Sequence, residues 1–198
     1  MNEPSRIAVV ERRTAETFVR VSLNLDGSGA AQLDTGVGFF DHMLHQLARH
    51  SRFDIELICD GDTHIDDHHT VEDVGITLGL ALKDALGARE GIARYGTAFA
   101  PMDESLVMCA LDISGRGYSV CELAFRTEKI GSFDTQLVPE FVRAVAHHAL
   151  VTVHIRSLAG WNSHHLAEAA FKALALSLRD ATRVVDRNGG VPSTKGVL

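Results

Sequence analysis

The chain contains few of the residues that mark secreted or membrane-spanning proteins. It has three cysteines, four prolines and one tryptophan in 198 residues, and 6% of its residues are aromatic. Three cysteines cannot all pair, and their spacing is not that of a metal knuckle, so a disulfide framework is not expected. The first residues lack the apolar core of a signal peptide, and no apolar run is long enough to span a membrane. We therefore expect a soluble, cytoplasmic protein with reduced thiols and no membrane contact.

The charge balance disfavours another class of partner. The chain carries 19 Lys and Arg against 26 Asp and Glu, for a net charge of −7. An acidic chain argues against a general nucleic-acid-binding surface. Hydrophobic residues make up 45% and charged residues 23%, which is ordinary for a globular protein of one domain or one duplicated fold.

Histidine is abundant, and part of it lies in a repeated phrase. The chain has eleven histidines. Residues 66–72 read Asp-Asp-His-His-Thr-Val-Glu, and residues 162–168 read Asn-Ser-His-His-Leu-Ala-Glu. One offset of 96, from 68 to 164, aligns both phrases and the apolar helical stretches that follow them. Two histidine pairs in register, each with its glutamate, indicate a duplicated metal site.

Helical geometry predicts how such a phrase would bind metal. On a helix, His68 and Glu72 are four residues apart and His69 and Glu72 three apart, so either pair can share a face. Neighbouring residues point about 100° apart, so the two histidines of a pair cannot easily chelate one ion. We therefore expect two ions, each taking one histidine of a pair. An alternative is that these are polar residues at helix starts, with Asp67 and Asn162 as caps.

The order of predicted elements repeats as well. Each half shows alternating strands, an amphipathic helix, a strand and a histidine-pair helix, and the second half includes predicted strands over 106–112 and 118–123. This pattern predicts an internally duplicated α+β fold with two mixed sheets, each covered by two helices. We place the first half-repeat at 1–92, the second at 93–185 and a C-terminal tail at 186–198, all within one integrated domain.

The repeat suggests one further ligand in each half. Aligning the predicted helix over 39–50 with that over 137–148 places His42 on Glu140. Carboxylate oxygens and imidazole nitrogens are both suitable ligands for a divalent cation. The alternative for His42 is a histidine on a helix face that bonds a backbone carbonyl.

Several segments resemble those of imidazoleglycerol-phosphate dehydratases of histidine biosynthesis. The resemblance extends from residue 6 to residue 198, and this length leaves no room for the fused phosphatase segment of some family members. It implies halves like ribosomal protein S5 domain 2, two Mn²⁺ ions per active site, and sites completed between subunits of a homo-oligomer on the order of 24 chains. The segments are 40–44 (Phe-Asp-His-Met-Leu), 64–73 (His-Ile-Asp-Asp-His-His-Thr-Val-Glu-Asp), 101–104 (Pro-Met-Asp-Glu), 111–116 (Leu-Asp-Ile-Ser-Gly-Arg), 133–138 (Phe-Asp-Thr-Gln-Leu-Val) and 191–198 (Val-Pro-Ser-Thr-Lys-Gly-Val-Leu).

The resemblance also implies a reaction and a role for each site residue. The reaction removes water from D-erythro-imidazoleglycerol phosphate and gives imidazole acetol phosphate. Glu16 and Glu168 would transfer protons, and Glu16 would contact the substrate. Asp103, near the corresponding strand start of the second half, could bind a substrate hydroxyl; the alternative is an exposed acid that is only solvated. Position 140, a glutamate here, is often histidine in the family. The implied phosphate ligands are Arg94, Arg116, Ser193 and Lys195. The implied metal ligands are His42, His68, His69, Glu72, Glu140, His164, His165 and Glu168.

Two other functions fit part of the pattern. Paired His and Glu sites often activate water, so a two-metal hydrolase is the alternative enzyme. A non-catalytic metal-binding protein would also carry the ligands, but it would not need the cationic residues Arg94, Arg116 and Lys195.

Overall fold

The computed structural model describes residues 6–186 and 189–198. The strands are Ile7–Arg13 (β1), Thr17–Asn24 (β2), Ala31–Asp34 (β3), Asp54–Gly61 (β4), Tyr95–Met102 (β5), Ser105–Asp112 (β6), Tyr118–Glu122 (β7), Lys129–Ile130 (β8), Phe133–Asp134 (β9) and Thr152–Ala159 (β10). The helices are Gly38–Ser51 (α1), His68–Leu86 (α2), Leu137–Ala149 (α3) and Ser163–Thr182 (α4).

The two halves have the same sheet topology. The first sheet has the order β1-β2-β4-β3 and the second the order β5-β6-β10-β7. In each sheet three strands pair antiparallel, and the last strand, β3 or β7, runs parallel to its neighbour. The duplicated α+β fold with mixed sheets is therefore confirmed. The exact boundaries of the half-repeats stay a prediction, with α2 ending at Leu86 and β5 starting at Tyr95.

Helix packing joins the halves. Helices α1 and α2 pack against the first sheet, and α3 and α4 against the second. Across the halves, α1 packs on α4 and α2 packs on α3. The second contact is close because α2 carries glycines there: a Cβ added at Gly75 would lie 2.8 Å from the Cβ of Ala144, and one at Gly79 would lie 2.8 Å from the carbonyl oxygen of Val145. This cross-half pairing determines which ligands can meet.

A shared hydrophobic core ties the halves into one unit. The ring centroids of Phe40 on α1 and Phe141 on α3 are 5.3 Å apart, and those of Phe141 and Phe171 on α4 are 5.2 Å apart. All three side chains are at most 2% exposed. Burial of such large apolar side chains is worth about 1.5–3 kcal/mol each, so separating the halves would expose a substantial part of the core.

Some local features differ from the expectations. Strand β5 was not predicted, because Gly96 and Pro101 weaken its strand pattern; the proline is tolerated because β5 lies at the edge of its sheet. The alternative interpretation of the repeated phrase is right for Asn162, whose side chain caps α4 by accepting from the backbone N–H of His164 at 2.9 Å. Asp67 occupies the N-cap position of α2, but its side chain makes no capping hydrogen bond. Asp66 instead accepts from the N–H of His68 at 2.8 Å.

The cysteines and the helices bear on the expectations about disulfides and membrane spans. Cys59, Cys109 and Cys121 are all free. Within the described ranges 6–186 and 189–198, none of the helices combines the length and apolar character that crossing a membrane requires.

Candidate metal centres and phosphate pocket

The first candidate metal centre joins helices of different halves. His42 on α1 meets His164 and Glu168, which lie four residues apart near the start of α4. One ligand atom from each lies within 4.8 Å of the other two. Nε2 of His42 is 3.2 Å from Oε2 of Glu168, and Nε2 of His164 is 3.3 Å from the same oxygen. The spacing of four residues thus places both α4 ligands on one face, opposite His42.

The second candidate centre has the same architecture with the roles of the two halves exchanged. His68 and Glu72, four residues apart on α2, meet Glu140 on α3, again with one ligand atom of each within 4.8 Å of the others. Glu140 therefore occupies the place that His42 has in the first centre. Each histidine-pair helix is completed by a residue from the other half.

The donor sets suit a divalent cation. The first centre offers two imidazoles and one carboxylate, and the second one imidazole and two carboxylates. Ligands about 2.1 Å from an ion stand about 3 Å apart at neighbouring corners of an octahedron, close to the distances in the first centre. A mixture of imidazole and carboxylate ligands without thiolate suits a divalent ion such as Mn²⁺, Fe²⁺ or a catalytic Zn²⁺ rather than a structural Zn²⁺ site of thiolates.

Basic side chains balance the carboxylates of both centres. Nζ of Lys172 lies 2.7 Å from Oε1 of Glu168, and Nη2 of Arg143 lies 2.9 Å from Oε1 of Glu72 and also contacts Glu140. Burial alone would raise the pKa of Glu168, but hydrogen bonds with Lys172 and then with a histidine outweigh it and lower the pKa. The guanidinium of Arg143 lowers the pKa of Glu140. Both carboxylates are therefore ionised and able to bind a cation at neutral pH.

The second histidine of each pair lies outside these centres. Nδ1 of His69 is 2.9 Å from Oδ2 of Asp62 and 3.6 Å from Oε2 of Glu16. Nδ1 of His165 is 2.8 Å from Oε2 of Glu104. The hydrogen bond to the carboxylate of Asp62 raises the pKa of His69. The hydrogen bond with His165 lowers the pKa of Glu104 to about 2. The two histidines of each pair thus face different surroundings, as their angular separation on the helix requires.

Four residues of these surroundings were not identified from the sequence. Lys172 and Arg143 had a usable signal, because they stand four and three residues beyond Glu168 and Glu140 on the same helices. Glu104 also had one, since it directly precedes β6 as Glu16 precedes β2. Asp103, the residue predicted from the sequence at this turn, has a side chain that is 78% exposed and lies 3.8 Å from Nε2 of His165. The fourth residue is Asp62.

The four expected phosphate ligands do come together, in a separate pocket. The pocket has a volume of about 620 Å³, and its lining includes Arg94, Arg116, Ser193 and Lys195. Arg94 also fixes the tail: its Nη1 donates to the carbonyl oxygen of Pro192 at 2.8 Å, while Nε and Nη2 donate to Asp112 at 2.8 and 3.3 Å. Three cationic side chains around one cavity make it suited to an anion such as phosphate.

The pocket and the first metal centre lie near opposite ends of helix α4. The backbone N–H of Arg94 donates to the carbonyl oxygen of Ala181 near the end of α4, and Glu168 lies thirteen residues earlier, about 20 Å along the helix. Strand β5 likewise separates Arg94 from the turn that holds Glu104 by about 23 Å. A small molecule cannot span that distance, so the pocket and the first metal centre of one chain do not form one site.

Fold and site together define a class, a duplicated α+β protein with paired His and carboxylate centres and a separate anion pocket. The chain is 57% identical over 194 residues to the imidazoleglycerol-phosphate dehydratase of Cereibacter sphaeroides, covering 98% of this chain and 100% of the relative. It is 55% identical over 194 residues to that of Desulforamulus reducens, covering 98% and 99%.

The chain also has the fold of solved structures that carry the same name. The imidazoleglycerol-phosphate dehydratase of Staphylococcus aureus superposes with a TM-score of 0.81 at 39% identity, covering 88% of this chain and 97% of that one. The enzyme of Pyrococcus furiosus, in complex with (S)-C348, superposes with a TM-score of 0.83 at 36% identity, covering 96% and 100%. The sequence model of the family matches residues 35–178. The chain belongs to the imidazoleglycerol-phosphate dehydratase family.

Proposed function

We propose that the chain is a lyase of histidine biosynthesis that dehydrates D-erythro-imidazoleglycerol phosphate to imidazole acetol phosphate. The observation that carries the proposal, beside family membership, is the pair of equivalent centres. Each takes two ligands from one histidine-pair helix and a third from the other half of the chain. A substrate with two ring nitrogens calls for two such centres in one active site.

The cofactor of this proposal is Mn²⁺, two ions per active site. His42, His164 and Glu168 would hold one ion, and His68, Glu72 and Glu140 the other. When bound, the ions would act as Lewis acids on the two imidazole nitrogens and stabilise the negative charge of the ring. Glu140 supports this assignment as it stands, because a carboxylate is as suitable for Mn²⁺ as the imidazole that many relatives have there.

The chain itself must move two protons. One leaves the side-chain carbon that becomes the ketone carbon, and one joins the hydroxyl that departs as water from the carbon next to the ring, which gives the enol. The enol becomes the ketone when its hydroxyl loses a proton and the carbon next to the ring gains one. We assign these transfers to Glu16 and Glu168. The side chain of Glu16 is 56% exposed beside His69, so it is open to a substrate. Asp103, 78% exposed beside His165, is assigned a contact with a substrate hydroxyl.

The phosphate end of the substrate belongs in the cationic pocket. Arg116 and Lys195 supply charge, and the hydroxyl of Ser193 can donate a further hydrogen bond. Arg94 also holds the tail against the pocket, because its guanidinium is fixed by Asp112 and donates to the carbonyl oxygen of Pro192. Two N–H groups of its guanidinium remain for the anion.

The active site is assembled between copies of the chain. The distance between pocket and centres supports this part of the proposal, because one short substrate needs both. His69 and His165 support it as well: each lies outside the centres of its own chain and can complete an ion in a neighbouring copy. Every ion would then have three ligands from one chain and a histidine from another.

The outer faces of both sheets also support self-association. Large apolar side chains that are at least half exposed lie on or next to both sheets, and apolar patches of this kind mark protein–protein contacts. The proposed particle is a homo-oligomer of about 24 chains with closed symmetry, located in the cytoplasm. The exposed residues are Ile7, Val9, Ile58, Tyr95, Phe99, Tyr118, Leu158 and Trp161.

A direct assay tests the proposed function. Purified protein, stripped of metal and then supplied with Mn²⁺, is incubated with imidazoleglycerol phosphate, and the ketone product is measured. We expect product with Mn²⁺ and none after chelation. A two-metal hydrolase would release inorganic phosphate and form no ketone. Absence of the ketone with metal-loaded, folded protein would contradict the proposal.

A further inference from the structure

The two histidines outside the metal centres share one feature, a carboxylate on Nδ1. We infer that Asp62 and Glu104 are positioning residues that hold His69 and His165 in the orientation and tautomer needed to bind a metal ion. This inference rests on the proposed function, in which both histidines complete ions held by neighbouring copies.

The hydrogen bonds select one form of each ring. Nδ1 of His69 lies 2.9 Å from Asp62, and Nδ1 of His165 lies 2.8 Å from Glu104. A carboxylate accepts, so the ring proton is kept on Nδ1 and the lone pair is left on Nε2, the atom then available to a metal. Such a carboxylate also orients the ring and makes the free nitrogen a stronger ligand.

The carboxylate that accepts from Nδ1 comes from a different position of the repeat in each half. Glu104 directly precedes β6, and the equivalent residue before β2 is Glu16. Asp62 directly follows β4, and the equivalent residue after β10 is Gly160, which has no side chain. The duplicated fold therefore has the same hydrogen bond in both halves from residues that do not correspond.

This difference determines which glutamate is left for the substrate. In the second half Glu104 is taken by His165, and its side chain is 21% exposed. In the first half Asp62, whose side chain is 10% exposed, takes Nδ1 of His69. Glu16 is then 3.6 Å from that nitrogen and 56% exposed. Because Asp62 makes the hydrogen bond to His69, Glu16 remains available for the proton transfer that we assign to it. This explains why only the first half has a glutamate before its second strand that is free to contact a substrate.

Metal binding by isosteric variants tests the inference. Asp62→Asn and Glu104→Gln keep the size of the side chain, but an amide can donate an N–H to Nδ1 and so move the ring proton to Nε2. We expect each variant to bind one of its two ions about 10–100-fold more weakly than the parent, the usual effect of removing such a carboxylate. Asp62→Glu and Glu104→Asp, which keep a carboxylate, should bind that ion more tightly than the amides.

The measurements are the number of ions per chain and their affinities, by titration of metal-free protein with Mn²⁺ and elemental analysis. Asp60→Asn is the matched control, because the side chain of this exposed aspartate of β4 makes no hydrogen bond or ion pair within residues 6–186 and 189–198. Unfolding temperatures in chelator, equal for parent and variants, exclude a damaged fold.

Each outcome separates this inference from the proposed function. Two ions in the parent and one tightly bound ion in Asp62→Asn or Glu104→Gln support it. Unchanged affinity for both ions in the amide variants, or equal affinity in amide and carboxylate variants, overturns it. A third ion per chain that Asp62→Asn removes would make Asp62 a direct ligand, with Glu16 and His69, and would also overturn it. A parent that binds no divalent cation would refute the proposed function instead.

Discussion

Mixing two inactive variants should restore activity if active sites form between copies. The first variant, Glu168→Gln, removes a proton-transfer group at a metal centre, and the glutamine still offers an oxygen to the ion, so metal binding and assembly should be kept. The second variant, Arg116→Ala with Lys195→Ala, removes charge from the phosphate pocket and leaves both metal centres intact. Each variant alone should have a defect in every site.

The structure gives the expected recovery. Glu168 and the pocket of the same chain are separated by about 20 Å of helix, so the proposed site would take this metal centre and its pocket from different copies. In particles reassembled from equal amounts, each part comes from the intact variant half of the time, so about one quarter of the sites are undamaged in both parts. Recovery of about one quarter of parent activity is therefore expected. If both parts had to come from one chain, recovery would be zero.

The assay uses chelation to dissociate the particles and Mn²⁺ to reassemble them. Activity of the mixture is compared with the mean activity of the two variants treated separately. The control is a mixture of the same variants loaded with Mn²⁺ before mixing, which prevents exchange of chains. Activity no higher than the mean, in particles shown by mass spectrometry to contain both variants, would refute the reasoning.

Three further predictions concern single parts of the site. Lys195→Ala should weaken substrate binding by about ten- to a hundred-fold, since a charged hydrogen bond to phosphate is worth about 1.5–3 kcal/mol; the metal content should not change, and a normal KM would remove Lys195 from the pocket. Glu168→Gln should keep most metal yet lose about 10²–10⁴-fold in rate, whereas Glu72→Gln should fail mainly through weaker metal binding; rescue of Glu168→Gln by excess Mn²⁺ would make Glu168 a ligand alone. Chelation should split the particle into smaller species that Mn²⁺ reunites, and light scattering that shows one unchanged size at confirmed metal loss would contradict the link between metal and assembly.

The sequence predicts the parts of the fold that local pattern determines. The duplication, the four helices and the histidine pairs follow from periodicity and from the offset of 96. Strand β5 was missed because Pro101 reads as a strand breaker, and its tolerance depends on the edge position, which is a property of the sheet. Two aspartates precede α2, and local pattern does not determine which side chain bonds the start of the helix; Asp66 does so, and Asp67 does not.

In the candidate site, too, local sequence pattern predicts some features, and others depend on tertiary packing. The equivalence of His42 and Glu140 was predicted from aligned helices. That each would complete the centre of the opposite half was not predictable, because it depends on α1 packing on α4 and α2 on α3. The contact of Asp62 with His69 likewise depends on how the loop after β4 folds against the start of α2. The distance between pocket and centres, which leads to a site shared between copies, is a tertiary property as well.

The most direct test of this account is an anomalous-difference map recorded at the manganese edge from crystals of the Mn²⁺-loaded protein with a substrate analogue. We expect two peaks per chain, one between His42, His164 and Glu168 and one between His68, Glu72 and Glu140, each also bound by a His69 or His165 from a neighbouring copy. The analogue should bridge the two ions and place its phosphate in a pocket that contains Lys195 of a different copy. One peak per chain, peaks away from these residues, or ions bound by a single chain would contradict the account.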